Sequence, residues 1–307
     1  MTTVDAVSTS APAGAERLKR SRARRSRLAP YALILPGWLW LVIFFVVPTL
    51  TMLSVSTMTG DDLNGFKQTL HFSTYSQAWS DYHAQIVRSL VYGLIATAIC
   101  LVIAYPVAYW IAFRGGRYKS SLLFLLLLPF FVSFIIRTQS WEFILDDNGM
   151  VVSVLKDLHL VGDHFHILQT ATAVIGGLVY NFLPFTILPI YVALERVDPS
   201  LLEASSDLYA NRAVAFAKVV LPLSLPGVFA AVLLTFVPVA SDYVNAQILG
   251  GAHTTMIGTV IETQYFTNLD YPTASALSFI LMAVLLIGIF AYARVLGTDD
   301  ALAMAAA

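Results

Sequence analysis

A handful of segments in this chain carry residues that could do chemistry. Asp163-His164-Phe165-His166 offers two imidazoles and a carboxylate, as a metal site would. Histidines at i and i+2 do not share a helix face, however, and no further ligand lies nearby, so the segment reads as an exposed loop with incidental histidines. Gly115-Gly116-Arg117-Tyr118-Lys119-Ser120 has the composition of a phosphate-binding loop. That loop needs a second glycine before its lysine so that backbone N–H groups can wrap a phosphate. Tyr118 occupies that position and no strand precedes it, which leaves an ordinary basic loop and no nucleotide site. Asp242 is an ionisable group near the outer end of an apolar run, where such a residue marks an ion or solute path. Trp141, Glu142, Tyr180, Asn181, Tyr243 and Asn245 offer aromatic faces and polar groups to a cation. The competing reading pairs Asp242 with Arg137, or has it cap a kink at Pro238. Finally, Glu203-Ala204-Ser205-Ser206-Asp207-Leu208-Tyr209, followed by Val219-Val220-Leu221-Pro222, is a half-polar helix pattern between two long apolar runs. Chain reversal alone does not need some thirty residues. This segment reads as a surface that another protein grips.

The elements that position these residues follow from composition. The 307 residues are 58% hydrophobic and 12% charged, and the mean hydropathy is +0.74. A soluble domain carries about 25% charged residues, so the chain belongs to the membrane class. Its single cysteine, Cys100, lies in an apolar run and cannot form an internal disulfide. Six apolar runs approach or exceed the roughly 20 residues that cross a bilayer: Tyr31–Leu53, Ile86–Ala112, Ser121–Ile136, Ala171–Leu194, Gly227–Leu249 and Ala274–Val295. Pro184, Pro189 and Pro238 predict kinks. The first run is too long for a signal-peptide core and no small-residue cleavage site follows it, so it reads as a retained span.

Lysine and arginine counts set the orientation. Fourteen lie on the side of the N-terminal tail, the Arg114–Lys119 loop, the Arg196–Lys218 loop and Arg294. Four lie on the other side: Lys67, Arg88, Arg137 and Lys156. Both termini are therefore expected in the cytoplasm, consistent with six spans. The organisation predicted is a basic, disordered tail (1–29), one membrane domain (30–297) containing the elbow 195–222, and a short C-terminal tail (298–307). Of the outer segments, Leu70–Trp79 reads as a short interfacial helix. Met150–Leu160 reads as a helix capped by Asp147 or Asn148, and Ile257–Phe266 as another short helix.

Within the elbow, Asp198 is placed to N-cap a helix starting at Pro199. Leu201, Ala204, Leu208 and Ser205 share one face, while Glu203, Asp207 and Arg212 are polar. A second segment, Ala213–Val220, follows, and Pro222 and Pro226 are expected to break the helix before the fifth span. Two carboxylates argue against simple lipid binding.

The elbow resembles the pattern E-A-A-x3-G-x9-I-x-L-P of the permease subunits of ATP-binding-cassette importers. Glu203, Ala204, Leu221 and Pro222 match with the spacing intact, and Ser205 and Val219 are mild replacements. Tyr209 replaces the family glycine. Either the turn is built around Ala210-Asn211, or the tyrosine ring belongs to the docking surface. Further segments resemble the spermidine/putrescine branch: Leu128–Thr138, Asp147-Asn148-Gly149, Phe236-Val237-Pro238 with Asp242-Tyr243-Val244, Leu249-Gly250-Gly251 and Met256-Ile257-Gly258.

The resemblance implies an all-α, six-span type I importer permease in a bacterial inner membrane. It implies that Glu203, Ala204, Ser205, Asp207, Tyr209, Ala210, Leu221 and Pro222 couple the spans to an ATPase. Its implied partners are two ATPase subunits carrying ATP and Mg, a second homologous permease and an external solute-binding protein. The chain would bind lipid but no nucleic acid, hold no cofactor or metal, and catalyse no bond chemistry. Polyamines are the implied solute, with ferric iron, thiamine or sulfate as the alternatives carried by related branches. A self-sufficient secondary transporter would want paired intramembrane charges and an inverted repeat, and neither is evident.

Overall fold

The computed structural model describes residues 34–61, 63–162 and 165–295. The tail arginines, Asp163, His164 and the C-terminal tail lie outside the described residues. The chain divides into two compact units, Met1–Val55 and Ser56–Ala307.

In the first unit, Ile34–Val55 forms a helix, α1. Its 22 residues reach about 33 Å, enough for a hydrocarbon core of about 30 Å. Thr49 and Thr51 donate their hydroxyls to the carbonyls of Phe45 and Val47, which satisfies them in apolar surroundings. Residues Val42–Val46 form a π turn just before Val47-Pro48. The wider register lets the helix run through a proline that has no N–H to donate.

The second unit opens with a feature that the all-helical expectation did not include. Met58–Asp61 (β1) and Gly65–Gln68 (β2) pair antiparallel in a hairpin, with Thr59 opposite Lys67 and Gly60 opposite Phe66. The Asp61 carboxylate closes the turn by accepting from the backbone and side-chain N–H groups of Asn64. Ser73–Arg114 is then one continuous 42-residue helix, α2. Leu70–Trp79 is therefore no separate interfacial helix, because nothing between Ser73 and the second span breaks the pattern. The buried residues Ala78, Ile86, Ser89, Gly93, Ala96, Cys100, Ala104 and Ala108 form one mostly small-residue stripe along α2. Small side chains let helix backbones approach closely where lipid supplies no hydrophobic driving force.

The third span departs most from expectation. Lys119–Leu127 (α3) runs through a 3₁₀ turn at Leu128–Phe131, and Phe134–Leu145 (α4) follows. The segments Gly116–Phe131 and Phe134–Asp157 are bent by 86° at the break between them. Pro129 and the extended Val132-Ser133 pair end the first half, so Ser121–Ile136 is not a straight crossing. Met150–Asp157 (α5) has Gly149 at its N-cap, with no side-chain cap from Asp147 or Asn148. Asp146 instead accepts from the Asn148 N–H and closes the turn.

Ala171–Glu195 (α6) is continuous through Pro184 and Pro189. Pro199–Asp207 (α7) forms the elbow. The next helix, Arg212–Ala240 (α8), passes through Pro222 and Pro226 without interruption. The expected break fails for the reason seen in α1: a π turn, Phe216–Val220, immediately precedes Leu221-Pro222. The fifth span also ends earlier than Leu249, and Val244–Ile248 is a separate short helix, α9. Ile257–Glu262 (α10) with a π turn to Thr267 matches the short helix expected there, and Tyr271–Val295 is α11. Among the described residues five helices are long and apolar enough to span a membrane, or six with the bent pair.

The core lies between α2, α6 and α8, where Ala104, Ala108, Ile187, Ile190, Leu194 and Ala231 pack together. Two pairs of hydroxyls meet inside it. Tyr105 Oη meets Ser224 Oγ at 2.6 Å, and Thr186 Oγ1 meets Thr235 Oγ1 at 2.7 Å.

Candidate functional site

The elbow is a folded helix, as expected. Asp198 caps it: Oδ1 accepts from the Ser200 N–H at 2.9 Å, and Pro199 follows at the first helical position. Val197 and Ser205 are buried, and Leu202 packs onto the α2–α6–α8 core. Ser205 and Ser206 donate their hydroxyls to the Leu202 carbonyl. Leu201 is 43% exposed and Leu208 81%, with Ala204, Glu203 and Asp207 also outside. Leu201, Ala204 and Leu208, which the sequence places on one face, point away from the core. Only Ser205 of that set turns in, because a nine-residue amphipathic helix with apolar residues on two sides does not itself say which side is covered.

The turn that ends α7 is also settled. Tyr209 has φ +58°, the left-handed region. Its N–H donates to Ser206 O at 3.0 Å, and the Ala210 N–H donates to Ser205 O at 3.0 Å. This is the Schellman arrangement usually closed by glycine. The bend is therefore made at the tyrosine itself and not at Ala210-Asn211. Asn211 has an extended backbone and caps α8, its Oδ1 accepting from the Val214 N–H at 2.8 Å. Behind Tyr209 a groove of about 460 Å³ runs between Leu208, Asn211, Val214, Lys218 and Val219. Leu221 is half-buried and Pro222 exposed, both well inside the long helix. At the membrane end of the elbow Lys119 Nζ lies 3.5 Å from Glu195.

The Ser200 N–H and hydroxyl hold the Asp198 carboxyl below its ordinary range. A depressed folded-state pKa gives stabilisation that is complete above the unfolded value and disappears as pH falls through the folded one. The protection of α7 backbone amides, corrected for the intrinsic exchange rate at each pH, is therefore expected to fall in acid. Asp198→Asn, which keeps a capping oxygen without a titration, should remove that pH dependence. Hydrogen exchange read by mass spectrometry between pH 3 and 7 checks this, and identical acid profiles for the two chains would contradict it.

The second cluster lies where α4, α6 and α9 meet. Asp242 Oδ1 accepts from the Asn245 N–H at 2.7 Å and from Asn245 Nδ2 at 3.2 Å. Asn245 Oδ1 then faces Asn181 Nδ2 at 3.0 Å, and the same Nδ2 lies 3.1 Å from Thr138 Oγ1. The carboxylate sets the orientation of the whole chain. Only the amide nitrogen of Asn245 can face it, so Asn245 offers its oxygen to Asn181, whose own oxygen points away. Asn181 is 1% exposed and its Oδ1 has no hydrogen-bond partner. An unpaired buried acceptor costs about 1–3 kcal/mol. Gly177, one turn before Asn181, permits this approach, since a Cβ there would sit 2.8 Å from Asn245 Oδ1.

The structure thus joins Asp242, Asn181 and Asn245, and places the rings of Trp141 and Tyr180 at 5.3 Å, edge to face. Glu142 and Tyr243 make none of these hydrogen bonds. Thr138 is the member that sequence reasoning missed; it shares a helix face with Trp141, Glu142 and Leu145, which is the pattern that could have found it. Arg137 does not pair with Asp242. It is buried, with its guanidinium 4.9 Å from the Phe130 ring centroid and 5.6 Å from that of Phe134.

Comparisons with known proteins agree with this architecture. The chain is 38% identical over 256 residues to the spermidine/putrescine transport system permease protein PotB of Haemophilus influenzae, covering 83% of this chain and 90% of that protein. It is 34% identical to PotB of Escherichia coli K12, covering 83% and 93%. A crystal structure of a bacterial ABC transporter involved in import of the acidic polysaccharide alginate matches with a TM-score of 0.70 at 18% identity, over 91% of this chain and 98% of that one, a likeness of fold. Residues 104–296 match the model of the binding-protein-dependent transport system inner membrane component. The chain, a multi-pass inner-membrane protein with the ABC importer permease fold, belongs to that family.

Proposed function

We propose that this chain is one permease half of an ATP-driven importer for polyamines such as spermidine and putrescine. The observation that carries the mechanism is the folded, outward-facing elbow from Pro199 to Leu221. Its inner face is seated on the core through Leu202 and Ser205, while its outer face is free to receive a partner. The ATPase subunits hold ATP and Mg and dock there; this chain contributes no bond chemistry. Closure of the ATPase pair pulls α7, and α8 follows because the helix is continuous from Arg212 to Ala240. ATP must stabilise one pore state over the other for that pull to reorient the spans. A second permease completes the cavity, an external binding protein delivers solute on the opposite side, and both termini lie in the cytoplasm.

The polyamine reading is supported by the relatives' substrates and by the cluster around Asp242. A carboxylate, an unpaired amide oxygen and two aromatic faces suit an ammonium, to which an aromatic ring contributes about 0.5–2 kcal/mol. Proteoliposomes holding the permease pair and ATPase subunits, supplied with binding protein, should accumulate radiolabelled spermidine only with internal ATP. Accumulation without the ATPase subunits would overturn the reading.

A further inference from the structure

Arg137 is the only lysine or arginine buried among the described residues, at 8% exposed. No hydrogen bond or ion pair among those residues holds its guanidinium. Its Nε is sealed and has no partner, and the one ion pair among the described residues is Lys119–Glu195. Arg88, by contrast, donates to the Thr255 carbonyl at 2.9 Å. The Arg137 guanidinium leans back toward the start of α4, over the rings of Phe130 and Phe134. Two aromatic faces offset part of its charge, but a buried ion without a counter-ion remains strongly unfavourable. The backbone adds to the imbalance. Arg137 closes the first turn of a 12-residue helix, at the positive end of its dipole. No side chain caps that end, and its first N–H groups have no intrahelical acceptor. A carboxylate taking two parallel N–H groups from the guanidinium would answer both the cation and the open helix end.

The neighbourhood does not supply one. Asp242 Oδ1 is engaged by Asn245. Glu142 lies five residues further along α4, more than a turn away from the end toward which the guanidinium leans. Depth argues against a lipid phosphate. From Lys119 on the elbow side, nine α-helical and four 3₁₀ residues lead to the break. They rise about 20 Å at most, which ends inside a hydrocarbon core of about 30 Å. The guanidinium also folds onto the rings and does not snorkel toward an interface. A polyamine solute has no anionic group to offer. A carboxylate carried to that depth by another membrane chain remains. Phe131, Ile135 and Ile136 border the break and are 80%, 49% and 56% exposed, an apolar rim that this chain leaves uncovered.

Resting on the importer reading, we propose that a carboxylate side chain of the second permease enters the break in the third span and pairs with Arg137 and the open end of α4. The two-point geometry of such a pair fixes orientation as well as charge. It therefore sets the register of the two permeases, and the unpaired cation disfavours this chain on its own.

The test uses the full permease and the second permease of its own transport system, labelled and reconstituted together in lipid vesicles. Arg137→Met should raise the thermal midpoint of this chain alone, because an uncompensated ion leaves the interior. It should weaken the permease pair about 100-fold or more, read as energy transfer on dilution with lipid. Arg137→Lys keeps the charge without the planar fork and should fall between the two. Acidic residues of the second permease are then replaced by leucine one at a time. One such change should weaken the wild-type pair and leave the Arg137→Met pair unaffected, the coupling of a direct contact. Equal association of wild type and Arg137→Met would overturn the proposal. Coupling of Arg137→Met to Asp242→Asn in the same chain, with none in the second permease, would overturn it in favour of an internal pair. Chloride or phosphate that raises the midpoint of the isolated wild type, and not that of Arg137→Met, would overturn it in favour of a free anion. Each of these leaves the importer reading standing if uptake still needs the ATPase subunits. Uptake by the wild type without them overturns that reading whatever Arg137 does.

Discussion

Glu203→Arg is expected to abolish ATP-driven uptake while the permease remains folded and inserted. Glu203 is exposed on α7 beside Ala204 and Leu208, and among the described residues no hydrogen bond holds its carboxylate within the fold. Its replacement therefore leaves internal packing untouched. In the proposed complex the carboxylate meets a basic or N–H-rich spot on the ATPase. Reversing it sets like charges against each other, which costs several kcal/mol, or about 100-fold or more in association. Co-purification of ATPase with the permease and uptake in proteoliposomes should fall together. The thermal midpoint of the permease alone should not move. Unchanged co-purification would remove Glu203 from the docking surface.

Gly227→Ala should damage the fold itself. A Cβ built at Gly227 falls 2.4 Å from Ala193 Cβ and 2.7 Å from the Pro189 carbonyl oxygen. Neither is the far end of a flexible side chain, so α8 must move off α6. Overpacking of this kind costs about 1–3 kcal/mol. The displacement would also strain the Thr186–Thr235 hydroxyl pair, whose 2.7 Å contact joins the same two helices in the core. A lower thermal midpoint in detergent is expected. Adding Ala193→Gly should recover part of the loss, because it removes the nearer of the two clashes, and the double-mutant cycle measures that coupling. A wild-type midpoint for Gly227→Ala would mean that the helices sit farther apart than described.

Much of the architecture was legible because membrane helices write their length into composition. The fourth and sixth spans lie within three residues of their expected starts, since lipid admits few ways to satisfy a backbone. Asp198 and Pro199 also read correctly, because a cap is a local property of two or three residues. The prolines misled. Pro222 and Pro226 are helix breakers by local rules, and the π turn that carries α8 through Pro222 leaves no sequence signature of its own. The bent third span shows the converse: Ser121–Ile136 has the hydropathy of a crossing, yet Pro129 and Val132-Ser133 fold it through 86°.

The same division runs through the two candidate sites. The sequence by itself determined that this is a multi-span membrane chain with a long polar elbow, and its motif spacing named Glu203 and the residues around it. It also singled out Asp242 and Asn181 as polar groups in apolar company. Only the tertiary structure decided that Leu201, Ala204 and Leu208 face outward, that Tyr209 itself makes the left-handed turn, and that Asp242 orients Asn245 and through it Asn181. Hydropathy and spacing report the preference of each residue for lipid, water or a helix. Which face is covered, and which polar atom meets which, depends on groups brought together from distant parts of the chain.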